Sequence, residues 1–218
     1  MEDAAPVTVP VGLEDIEPDH WIAWVFQIPG CFASGPTRDH AIAGTAATYA
    51  AELNNNTRTV PIVVEEWRGK LVEDRPGFII NALFDDDRRP LSGDDVDAAI
   101  ARLKRQRSQL LALVRDTDLA TSTNIEEVLL HVAGAERWYL SCLGFEEDRQ
   151  RDGESVIEML TRVRHVLLDA LPLLVGDDRT GEDVGEQWSA RKLVRRAIWH
   201  ERDHVQQIRS GDQPPART

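Results

Sequence analysis

Two histidines one helical turn apart, His200 and His204, constrain this chain more than any other feature. They lie in a helical pattern that runs from about Ser189 to Arg209. At about 100° per residue, Leu193, Val194, Ala197, His204, Val205 and Ile208 share one arc, with His200 at its edge. Arg191, Lys192, Arg195, Arg202, Gln206 and Arg209 fill the other side. Glu201 also points into the apolar arc, where an unpaired carboxylate is expensive. Two imidazoles and a carboxylate turned toward a core need partners. Imidazoles at i and i+4 can share one divalent ion, which makes a metal the most economical partner.

The pattern is helical from Ser92 onward. Ser92 suits a cap for a helix with the stripe Val96, Ile100, Leu103, Leu110 and Val114. Thr123 or Asn124 suits the cap of a second helix, with Ile125, Val128, Val132, Ala135, Tyr139 and Leu143 on one side. A third runs from about Glu154 to Leu171 and stops near Pro172 and Gly176. The stretch from there to Glu186 reads as a long acidic loop, and the histidine-bearing helix follows. Four amphipathic helices of this length default to a four-helix bundle over residues 92–210, with 211–218 as a tail. His131 sits at the edge of the second helix's apolar arc. It can join His200 and His204 as a third ligand and leave a coordination position open.

The N-terminal half reads differently. Residues 1–19, with Pro6, Pro10 and Pro18, read as an irregular lead-in. A strand over His20–Ile28, a turn at Pro29-Gly30, a short return strand, a helix over Arg38–Leu53 and a strand over Thr59–Trp67 give a small β-β-α-β domain at 20–70. Residues 71–91 read as a linker, with Asp85-Asp86-Asp87 as a solvated turn. The fold class is therefore α+β: a small α/β domain followed by a helical bundle.

Net charge is −13 and the isoelectric point about 4.9, which argues against nucleic acid as a partner. No apolar run is long enough to span a membrane, and the N-terminus lacks the pattern of a signal peptide. Cys31 and Cys142 lie far apart and read as reduced thiols of a cytoplasmic protein. Trp138 and Trp199 fall at the rim of the apolar arcs or outside them, where exposed tryptophans mark a dimer interface or a pocket wall.

Two resemblances add to this reading. The segments EEVLLHVAGAERWYL and WSARKLVRRAIWHERDHVQQI, with the bundle around them, resemble the DinB-like metal-binding four-helix bundle superfamily. That resemblance implies a metal triad of His131, His200 and His204. It also implies a thiol-dependent transferase or isomerase that uses a low-molecular-weight thiol. The stretch WIAWVFQIPGCFASGPTRDHAIAGTAATYAAEL resembles the N-terminal domain of HicB-like proteins and implies a partner-binding module over residues 20–67.

The expected function is thus a metal-dependent enzyme acting on a small-molecule electrophile, with zinc or nickel as the ion and a homodimer as the assembly. Hydrolysis is the other outcome open to such a centre. Glu201 is the candidate base or imidazole-orienting carboxylate, and Glu136 a candidate orienting carboxylate. His200-Glu201-x-x-His204 also matches the zinc-protease motif, but no His or Glu follows His204 to complete it. Cys142 lies about three turns beyond His131, too far to ligate with it, so any attacking thiol must arrive with a cosubstrate. The rival expectation is a non-catalytic binding or regulatory protein built on the HicB-like module.

Overall fold

The computed structural model describes residues 6–17, 19–54, 58–73, 75, 78–117, 122–146 and 150–210, so the expected tail at 211–218 lies outside the described residues. Along the sequence the chain divides into two compact units, the first ending at Asp86 and the second starting at Asp87.

The first unit is a four-stranded sheet with one helix. In chain order it holds β1 (Val7–Glu17), β2 (His20–Val25), β3 (Cys31–Gly35), α1 (Arg38–Leu53) and β4 (Thr59–Arg68). The strands lie in the order β3-β2-β1-β4, with β1 antiparallel to β2 and parallel to β4. The expected β-β-α-β unit therefore has one strand more, because the proline-rich lead-in is β1. Val9, Val11 and Leu13 alternate with period two and are buried, which is a strand pattern despite the prolines. Pro10 fits because its carbonyl accepts the Phe26 amide, which puts its own nitrogen on the same side, just past the last β2 residue. Only the reciprocal bond, from residue 10 to the Phe26 carbonyl, is forgone, and it falls at the end of the β1–β2 ladder. A side chain at Gly12 would collide with Phe26, since a Cβ would sit 2.5 Å from that ring.

Thr37 caps α1 by accepting the His40 amide. The stretch expected to be a linker carries a short pair, β5 (Lys70–Leu71) with β6 (Ile79–Ile80). Glu14 is buried in the sheet and accepts both the Trp24 indole N–H, at 2.9 Å, and the Ala82 amide, at 2.6 Å. That pins the 81–84 segment to the sheet.

The second unit holds α2 (Gly93–Val114), α3 (Thr123–Ser141), α4 (Val156–Ala170) and α5 (Ala190–Ser210). Before α5 comes a hairpin of β7 (Gly181–Asp183) and β8 (Glu186–Trp188), where a loop was expected. α2 packs on α5, α5 on α3, and α3 on α4, around one apolar core. Ser92 and Ser155 form full capping boxes with Asp95 and Glu158.

α5 departs most from expectation. Arg191, Lys192 and Arg195 are buried, not solvated. Arg191 donates to the carbonyls of Arg89 and Pro90 and pairs with Asp95. Lys192 pairs with Glu186 at 2.8 Å. Arg195 grips both oxygens of Asp87, which is 2 % exposed, so this member of the aspartate run is an interior ion-pair partner and not a solvated turn residue. The helical wheel failed for these three because each finds a partner distant in sequence or in the preceding hairpin, whereas Arg202 and Arg209 are exposed as expected.

Candidate metal centre

α3 delivers His131, and α5 delivers His200 and His204 one turn apart. His200 and His204 are buried, whereas His131 is exposed and opens the cluster to solvent. The Nε2 atom of His200 lies 3.0 Å from that of His131 and 3.1 Å from that of His204. The centroid of the His131 ring is 4.9 Å from that of His200 and 5.0 Å from that of His204. One ligand atom from each residue falls within 4.8 Å of the others. Ligands at tetrahedral zinc, with Zn–N near 2.0–2.1 Å, stand about 3.3 Å apart, so small side-chain adjustments would accommodate an ion. The three histidines expected to converge do so.

Gln207 helps to prepare the site. Its Oε1 is 2.7 Å from His204 Nδ1, and an amide oxygen can only accept. In the Nδ1–H tautomer Gln207 accepts this bond, and Nε2 keeps the lone pair that a metal needs. Gln207 was not among the expected site residues, although its position one turn after His204 was visible in the sequence. Tyr139 on α3 sets its ring edge-on to His200 at 6.1 Å and stacks on Trp188 at 4.6 Å. Burial pushes the Tyr139 hydroxyl up to about 12, against the pull of the Arg196 guanidinium.

Glu136 and Glu201 are both buried, as expected of acids on apolar arcs, and both are held by arginines. The arginines are Arg107 of α2 and Arg164 of α4. Arg107 donates from Nε to Glu201 at 2.7 Å and from Nη2 to Glu136 at 3.0 Å. Arg164 donates from Nε to Glu136 at 3.3 Å, and its Nη2 reaches both Glu136 and Glu201. Burial alone would raise the Glu136 carboxyl, but Arg164 and Arg107 hold it below the ordinary carboxylate range. A carboxylate so stabilised is a weak base. Neither arginine was expected here, yet Arg107 sits squarely between Leu103 and Leu110 on the α2 stripe. An arginine at a core position was the available signal.

The other candidate residues lie elsewhere. His165 is exposed and lines a groove with Lys104, Ser108, Thr161 and Asp169. In the first unit, His20 is half-buried and His40 exposed. Trp199 is buried, with the Arg196 guanidinium 4.1 Å from its ring centre, so it is not an exposed interface residue. Trp138 is half-buried and donates to Asp183 at 2.6 Å. Cys142, just past the end of α3, has its thiol pushed up to about 12 by burial and by the carboxylates of Asp183 and Glu186.

Comparison with protein-family models, curated proteins and solved structures finds no match to this chain. The DinB-like and HicB-like resemblances therefore rest on their sequence motifs. Among the described residues, no helix is long and apolar enough to cross a membrane.

Proposed function

We propose that the helical unit is a divalent-metal centre of the DinB-like kind that works with a low-molecular-weight thiol on a small electrophile, as a transferase or isomerase. The observation that carries this reading is the convergence of three imidazole Nε2 atoms from two helices. Zinc or nickel, held by His131, His200 and His204, would supply Lewis acidity and a position for a thiolate or water.

The chain's own groups divide the remaining work. Gln207 favours the Nδ1–H tautomer of His204. The exposed His131 edge admits reactants, while burial of His200 and His204 keeps two ligands dry. Burial and the carboxylates of Asp183 and Glu186 push the Cys142 thiol up to about 12, which disfavours its thiolate, so a thiol that arrives as a cosubstrate suits the centre better. Glu201 is wholly buried and bonded to Arg107 and Arg164, not to an imidazole, so it neither orients a ligand ring directly nor serves as a protease-like base. Of the two tryptophans behind the homodimer expectation, Trp199 is interior and only the half-buried Trp138 still offers surface.

Metal analysis of the purified protein tests this reading. About one zinc or nickel ion per chain, lost in His200→Ala, is expected. Stoichiometric metal retained by that variant would overturn the assignment.

A second reading has its own observation. On β4, Val60, Ile62 and Val64 point outward and are 43 %, 47 % and 54 % exposed, an apolar stripe on an edge strand. Such an edge suits partner recognition by the HicB-like module. A protein partner bound by the native chain and lost on Ile62→Lys would support it.

A further inference from the structure

We propose that Arg107, Arg164, Glu136 and Glu201 form a positioning device that sets the separation of the three imidazoles, in addition to packing the bundle. This inference rests on reading the triad as a metal centre. The ligands come from two helices, so the height and rotation of α3 against α5 decide whether His131 meets His200 and His204. One residue of slippage moves a side chain about 1.5 Å along the axis and turns it about 100°. Metal–ligand bonds tolerate about 0.2 Å. Apolar packing specifies helix register only loosely, whereas directional bonds between buried ions can fix it.

The quartet is placed to do this. Glu136 stands five residues after His131 on α3, and Glu201 directly follows His200 on α5. Each arginine bonds both carboxylates, so each guanidinium bridges the two ligand-bearing helices. The guanidinia are themselves anchored. Arg107 donates to the Leu160 carbonyl of α4, and Arg164 to the Leu103 carbonyl of α2. Each target lies four residues before the other arginine, so the two clamps are reciprocal and tie α2 to α4. Two cations and two anions cancel, so the frame brings no net charge toward the imidazoles. Four apolar residues would fill the same space without the desolvation cost of four ions. What they could not supply is the planar, two-carboxylate grip of a guanidinium.

The test is titration of the full-length protein with cobalt(II) alone, read by its d–d absorption, with thermal unfolding of the metal-free protein in parallel. The quadruple variant Arg107→Met, Arg164→Met, Glu136→Leu, Glu201→Leu is expected to unfold cooperatively, yet to bind cobalt about 10-fold or more weakly, with a shifted spectrum. Arg107→Lys with Arg164→Lys keeps both charges but replaces each fork with a point charge, and the same weakening is expected. Either folded variant with wild-type affinity and spectrum overturns the positioning role and leaves the metal reading intact. Wild-type protein that takes up no cobalt overturns both.

Discussion

Lys192 and Glu186 form an ion pair from which solvent is wholly excluded: both side chains are 0 % exposed, with Nζ 2.8 Å from Oε1. The ammonium also lies 4.7 Å from the ring centre of Trp188 and donates to the Gln187 carbonyl. The β7–β8 hairpin is thereby fastened to the first turn of α5. Lys192→Met leaves Glu186 buried beside an apolar chain, and a loss of about 3–5 kcal/mol is expected by urea denaturation. Adding Glu186→Leu should recover much of it. A double variant no more stable than the single would show that the pair is not what binds the hairpin.

Acid should act on the interior carboxylate of α3. Glu136 is held below its ordinary value of 4.5 because Arg164 and Arg107 outweigh its burial. As pH falls below 4.5 the unfolded chain takes up this proton before the folded chain does. The contribution is thus complete above 4.5 and is lost as pH falls through the lower folded value. Glu136→Gln removes that difference. Its stability, followed by circular dichroism at fixed urea, should fall less steeply with acid than that of the native chain.

Metal should stabilise the helical unit in proportion to occupancy. At a free zinc concentration 100 times the Kd, the gain is about 2.7 kcal/mol, seen as a rise in Tm that chelator reverses. His204→Ala should abolish the response, since it removes one of three converging ligand atoms. An undiminished zinc shift in that variant would place the ion elsewhere.

The hairpin turn holds a correctable strain. Val184 and Gly185 have φ of 54° and 77° and form the two-residue loop between Asp183 and Glu186. A β-branched residue is ill-suited to the left-handed region, where asparagine is at home. Val184→Asn should stabilise the protein by roughly 0.5–1 kcal/mol, measured as a higher denaturation midpoint. A lower midpoint would mean that the half-buried valine contributes more by packing than it costs in backbone strain.

The features legible in the sequence were those written in local spacing. Ser92 announced its helix, the stripes placed the core, and His200 with His204 announced a shared ligand because one turn separates them. His131 could be joined to them because a bundle brings arcs face to face. What escaped depends on partners far along the chain. Arg195 meets Asp87 across 108 positions and Arg107 meets Glu201 across 94. A cation on a helical wheel looks solvated until its anion is located. β1 escaped for another reason: Pro10, with Pro6 and Pro18 on either side of the strand, resembles a loop proline unless it is known to sit at the end of the β1–β2 ladder.

That first strand also decides where the molecule can be cut. It is the only described strand bonded to both β2 and β4, so excising residues 7–17 would leave a hairpin and an orphan strand with no shared ladder. A trimming experiment that removes the proline-rich leader to isolate the small domain would take out its middle. Fragments meant to fold must start ahead of Val7.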